Sequence, residues 1–332
     1  MTKCRQTAAR MVAYGKGILA ADESVATMSK RLVDAGVEPT AENRRIYREL
    51  LATAPGLSES VSGIIFCDET LRQTFSDGTP FAAGVSELGI LPGIKVDTGA
   101  KPCPGLPGET VTEGLDGLPA RLAEYAELGA VFAKWRAVFK ITAETPSRGA
   151  IRANANALAR YAAACQEAGM VPIVEPEVLS DGEHNRGVCR DVTSEVHAAL
   201  RAELALLNVD LAGIVLKPNM VLEGQGYGRE SSPAEVAEIT VSVLRAWSDD
   251  LAGVAFLSGG QSPERATANL EAMQAYATPW PLTFSFGRAL VSPALAAWHG
   301  DPELVSAGQQ ALLERVAANG AAVRQRGELQ SV

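Results

Sequence analysis

Histidine is scarce in this 332-residue chain: His184, His197 and His299 are the only three, and none shows the close HExxH spacing of a metal site. Cysteine offers no framework either. Cys4, Cys67, Cys103, Cys165 and Cys189 are scattered, odd in number and without a CxxC pair, which suits a reducing compartment. No apolar stretch is long enough to span a bilayer, and Met1-Thr2-Lys3-Cys4 does not begin an apolar signal core. The expected location is therefore the cytoplasm, with no membrane partner. A net charge of −9 lacks the basic excess of a nucleic-acid surface. It leaves anionic small molecules open, because a local site can be basic inside an acidic protein. No glycine-rich dinucleotide fingerprint opens a helix, since Gly15-Lys16-Gly17 precedes a strand candidate instead. Neither a cofactor nor a metal is expected.

Lysine is also rare beyond the first half, and one example stands out. Lys217 is the only lysine between Ile141 and Val332. It ends the run Gly213-Ile214-Val215-Leu216-Lys217-Pro218-Asn219, which reads as a buried parallel strand. An ammonium is costly to bury unless it is paired or deprotonated. The neutral amine is the nucleophile that forms Schiff bases with carbonyl compounds. A strand-end lysine taken alone is more often a structural ion pair, so the surrounding pattern has to decide.

That pattern is an alternation of short apolar runs with longer amphipathic ones. Strands are expected at 17–21, 62–66, 91–96, 131–139, 171–175, 212–217, 253–257 and 282–286. Helical patterns cover 119–128, 150–168, 193–207, 233–247 and 263–276. Pro233 and Pro263 each follow a serine able to cap, a good helix start. Eight strands with intervening helices fit one (β/α)8 TIM barrel over 1–332 with extra N- and C-terminal helices. A doubly wound sheet is the alternative that alternation alone does not separate. The Pro- and Gly-rich segment 101–117 reads as a long loop within the domain.

Charged or small polar residues stand at or just past seven of the eight strand ends. They include Asp22, Glu23 and Ser24; Lys95 and Asp97; Lys134 and Arg136; Glu175 and Glu177; and Lys217. Ser258-Gly259-Gly260 and Ser285-Phe286-Gly287-Arg288 follow. In a parallel barrel these ends converge on one face, where active sites lie. The last two segments suit a phosphate: glycine lets backbone amides approach, a helix N-terminus adds positive potential, and an arginine supplies a fork of donors. Singly, each has a plainer reading as a helix cap, a structural ion pair or a tight turn. Together they favour function.

The segments Gly17 to Ser24, Phe132 to Arg136, Val171 to Glu177, Leu216 to Met220 and Phe256 to Ser262 resemble class I fructose-1,6-bisphosphate aldolases. Glu42-Asn43-Arg44-Arg45 and Gly287-Arg288-Ala289-Leu290 extend the resemblance, which runs from about Gly15 to about Asn319. It implies a metal-independent cleavage of fructose 1,6-bisphosphate through a Schiff base on Lys217. It implies Glu175 as general acid and base, Asp22 as the base at the breaking bond, Lys134 as a second cation, and Glu177 as the group orienting Lys217 and Glu175. Ser258, Gly259, Gly260, Gly287 and Arg288 would hold the 1-phosphate, with Ser285 beside them and Arg31 closing over it. Ser24, Thr27 and Lys95, with Arg44 or Arg136, would serve the distal phosphate. A homotetramer is implied as well. Two departures stand out. Val25 and Ala26 follow Ser24 where relatives tend to have small polar residues, and the last tyrosine is Tyr276, where longer relatives end a C-terminal tail in tyrosine. The same chemistry on fructose 1-phosphate or sedoheptulose 1,7-bisphosphate is the alternative, and a non-catalytic sugar-phosphate scaffold is a remote one.

Overall fold

A computed structural model describes residues 2–329. The final residues, where the sequence departs from longer relatives, lie outside the described residues. Eight strands form a closed barrel: β1 (Gly17–Ala21), β2 (Val61–Phe66), β3 (Leu91–Lys95), β4 (Phe132–Phe139), β5 (Val171–Val178), β6 (Val215–Leu216), β7 (Gly253–Phe256) and β8 (Leu282–Phe286). Each pairs in parallel with its sequence neighbour, and β8 returns to β1. Ile18 opposite Ser285 and Leu19 opposite Phe286 seal the ring. The eightfold barrel expected from the alternation is the observed fold.

Strand alternation divides the apolar residues into two cores. Inward positions at the N-terminal end of the barrel are apolar: Ile18, Ala20, Ile65, Leu91, Phe132, Val171, Ile173, Val215 and Ala255. The helix Lys3–Met11 lies across this end and contributes Cys4, Ala8 and Met11 to the same cluster, closing the floor. Outward positions such as Leu19, Ile64, Ile94, Trp135, Val174, Leu216 and Phe256 pack against the surrounding helices. Phe132 fills the floor only because its neighbours are small. A Cβ built on Gly93 would lie 2.2 Å from its ring, and one on Gly63 3.0 Å.

Helix starts follow their caps. Ser232 and Glu235 form a reciprocal capping box ahead of Pro233–Leu244, and the Ser262 hydroxyl accepts the Arg265 amide at the start of Pro263–Met273. Three expectations need correction. Helix Arg186–Leu206 begins seven residues before the expected 193, because Asn185 caps it through the Val188 amide. The sixth strand is short, since Asp210 caps a 3-10 turn over Leu211–Gly213. The segment read as a loop contains an antiparallel hairpin, Gly99–Pro102 with Thr110–Glu113. It is held down by Asn154, which bonds to the Thr112 amide and the Thr110 carbonyl, and by the Thr112 hydroxyl on the Arg136 carbonyl.

The floor packing carries a prediction. Gly93→Ala forces Phe132 from its place and should lower stability by about 1–3 kcal/mol, read from the urea midpoint. An unchanged midpoint would mean that the floor has room to relax.

Candidate active site

The inward register that is apolar on the floor turns charged towards the C-terminal ends. On β4 the succession is Phe132, Lys134, Arg136; on β5 it is Val171, Ile173, Glu175, Glu177. Ile173 stands opposite Val215, so the same register carried two residues on sets Lys217 beside Glu175. The Lys217 amide donates to the Val174 carbonyl at 2.8 Å and extends the pairing past the strand's formal end. These residues open into a cleft of about 1240 Å³.

Four buried side chains form its centre. Lys217 Nζ is 3.2 Å from Glu175 Oε1, Lys134 Nζ is 3.3 Å from Glu175 Oε2, and Lys134 Nζ is 2.6 Å from Asp22 Oδ2. Two lysines thus face two acids, with Lys134 bridging the acids. Burial opposes charge on the Asp22 carboxyl, but Lys134, Lys217 and Lys95 outweigh it and hold the pKa at about 2. Burial likewise works against the Lys134 ammonium, yet Asp22, Glu175 and Asp97 keep its pKa above the ordinary lysine value. In Glu175 the rise from burial is overcome by Lys134, Lys217 and Arg136, and the carboxyl sits below its usual range.

One side of the cleft is built to take an anion. Ser258 and Gly259 line it, and Gly259 has a φ of +58°, which frees the loop to turn its backbone inward. The Ser285 hydroxyl is fully buried with no hydrogen-bond partner, so a donor waits in the wall. Gly287 begins the helix Arg288–Trp298 with no side chain capping it, leaving the first amides open beside the Arg288 guanidinium. Arg31 also lines the cleft and is held by Glu23, whose other oxygen takes the buried Arg48 guanidinium at 2.7 Å. Gly260, expected with this group, instead lines an adjoining pocket with Ser180, Gln225 and Arg265, although it stays in the same loop.

Ser24, Thr27, Lys95 and Arg136 also line the cleft. Ser24 caps the helix Val25–Asp34, accepting the Thr27 amide at 3.3 Å, and its hydroxyl is 3.0 Å from that of Thr27. Two expected residues are engaged elsewhere. Arg44 donates from Nε and Nη2 to the two carboxylate oxygens of Glu69 at 2.7 Å, with Nη1 donating to Ser29 and the Pro39 carbonyl, and it is not on the cleft wall. A bidentate carboxylate fixes it there. Glu177 lines the cleft but bonds to Arg136 Nε at 2.5 Å, a layer above Glu175. Glu23, Arg48 and Asp97 were not assigned from the sequence. Glu23 and Asp97 carried a signal, since both stand at strand ends. Arg48, within the helix Ala41–Ala52, carried none.

Among the described residues no cluster of three His, Cys, Asp or Glu is placed to hold a metal ion, and no helix is long and apolar enough to cross a membrane.

The Asp22 ion pair should appear in acid stability. Its carboxyl falls from 3.8 to about 2 on folding. The contribution is therefore present above pH 4 and is lost as pH drops from about 4 to about 2, on the order of 2 kcal/mol. Urea unfolding across that window should show a steeper loss for the unsubstituted protein than for Asp22→Asn. Parallel curves would mean that the pair contributes nothing net.

The family model described as "Fructose-bisphosphate aldolase class-I" matches residues 3–331. The chain is 52% identical over 320 residues to a "Probable fructose-bisphosphate aldolase class 1" of Xanthomonas campestris pv. campestris, covering 96% of each. It is 51% identical to "Fructose-bisphosphate aldolase C" of Carassius auratus, covering 96% of this chain and 88% of that one. A crystal structure of fructose-bisphosphate aldolase from Plasmodium falciparum, in complex with TRAP and a small molecule inhibitor, superimposes with a TM-score of 0.96 at 43% identity, over 98% of this chain and 94% of that chain. The chain belongs to the class I fructose-bisphosphate aldolase family.

Proposed function

We propose that Lys217 is the amine on which this class I aldolase forms its Schiff base, with Glu175, Lys134 and Asp22 completing the machinery. The observation that carries the reading is the unbroken chain of contacts Lys217–Glu175–Lys134–Asp22, at 3.2, 3.3 and 2.6 Å, at the C-terminal ends of the strands. Lys217 Nζ attacks the substrate carbonyl, and Glu175 Oε1 moves the protons of carbinolamine formation and loss of water. The resulting iminium is an electron sink. Asp22 takes the proton from the hydroxyl on the carbon whose bond breaks, and the bonding pair flows into the iminium as an enamine. Protonation of the enamine and hydrolysis return the free lysine. Lys134 keeps a fixed positive charge between the two acids. Glu177 contributes indirectly, by anchoring Arg136.

The two phosphates divide between the two sides of the cleft. Ser258, Gly259, Ser285, Gly287, Arg288 and Arg31 take the 1-phosphate, and Ser24, Thr27, Lys95 and Arg136 take the distal one. The cations on the far side support the bisphosphate over fructose 1-phosphate as substrate. The enzyme works in the cytoplasm on this reading, supported by five free cysteines.

Borohydride reduction with dihydroxyacetone phosphate present, followed by peptide mass spectrometry, should place a stable adduct on Lys217, formed equally well in EDTA. An adduct on another lysine, or none, would overturn the assignment. Lys217→Met should lower kcat by about four orders of magnitude while leaving the thermal transition in place. The family resemblance also supports a homotetramer, so light scattering should return a mass near four times the 34.8 kDa chain; a monomer or dimer would refute it.

A further inference from the structure

Asp97 follows β3 by two residues, and its side chain is almost wholly buried at the edge of the cleft. It binds Lys95 twice: Oδ1 accepts Lys95 Nζ at 2.6 Å, and the Asp97 carbonyl accepts the same nitrogen at 2.8 Å. Two of the three ammonium protons are thereby committed, and the third is left for the cleft. The carboxylate does not depend on Lys95 for its own satisfaction. Oδ1 also accepts the Gly99 amide at 3.1 Å, and Oδ2 accepts the Arg136 amide at 3.2 Å. One buried carboxylate therefore fixes the lysine ending β3, the backbone carrying the arginine of β4, and the first residue of the hairpin.

A lysine is a point charge on a flexible stem, and ordering it costs conformational entropy. Held by Asp97, Lys95 meets that cost before any ligand arrives. The same carboxylate offsets the repulsion between Lys95 and Lys134 across the β3–β4 pairing, where the two lysines stand directly opposite. The hydrogen bonds of Asp97 go to Lys95, Gly99 and Arg136 and to none of Lys217, Glu175 and Asp22, so its main effect belongs to the far end of the substrate, while its charge also reaches Lys134.

We propose that Asp97 is a positioning residue that sets the preference for a substrate carrying a second phosphate, by fixing Lys95 and the backbone at Arg136. This rests on the reading of Lys95 and Arg136 as the distal-phosphate cations. The test compares kcat/KM for fructose 1,6-bisphosphate and fructose 1-phosphate in the full-length enzyme and in D97N, D97E, K95Q and D97N/K95Q. D97N should lose roughly 10- to 100-fold on the bisphosphate, mainly through KM. Its loss on the monophosphate should be at least about tenfold smaller. D97E, which keeps the charge, should recover part of the ratio, and it serves as the reading if D97N fails to fold. The double variant should lose clearly less than the product of the two single losses, because both substitutions remove the same Lys95–Asp97 contact. Equal losses on both sugars in D97N, or additive losses in the double variant, would overturn the inference while a selective loss in K95Q left the distal site standing. An unselective K95Q would instead overturn the assignment of Lys95 itself.

Discussion

Two lysines and two carboxylates packed together under the barrel's open end form the constraint on which the site depends. In a medium of low polarizability no one of these charges is tolerable alone. Removing Lys134 strands Asp22 and removing Glu175 strands Lys217, so the inner pair holds the group together. Its arrangement is nonetheless asymmetric. Lys134 contacts both acids, whereas Lys217 contacts only Glu175. The bridging lysine is held from both sides, and the singly paired one is the lysine proposed to react. Chemistry and stability draw on the same four side chains in different proportions.

The barrel supplies the geometry through register alone. A strand whose inward residues begin apolar and end charged needs no special turn to present its acids and bases; it needs only the correct pairing with its neighbours. A one-residue slip would send Lys134 and Glu175 outward among the helices. Phe132 packed over Gly63 and Gly93 resists that slip, because a Cβ at either glycine would press on its ring. The floor thus sets where the reactive groups stand above it.

Much of this was legible in the sequence, because periodicity and strand-end charge are local signals. Lys217, Glu175, Asp22 and Lys134 announced themselves as polar residues ending apolar runs, and the serine–proline pairs marked two helix starts. What was not legible depends on partners far away in the chain. Arg44 looked free for a phosphate because nothing local shows that Glu69, 25 positions later, will bind its Nε and Nη2. Glu177 was assigned to the lysine centre, but Arg136 on the neighbouring strand claims it. The hairpin was missed because its strands are four residues each, too short to show an alternation, and are joined by a segment rich in proline and glycine. Asp97 and Glu23 stood in view at strand ends. Their importance comes from which cations they hold, and that is a property of the folded ring.

The helix Lys3–Met11 gives the barrel one mouth. With Cys4, Ala8 and Met11 pressed into the floor, nothing passes through from below, and every molecule that enters the site must leave by the way it came. For a reaction that splits one sugar into two pieces, traffic then takes turns. The piece not tethered to the enzyme clears the opening first, and water for releasing the second arrives through the space just vacated. The tether sets the order of departure, and a plug at the opposite end of the molecule leaves both pieces a single exit.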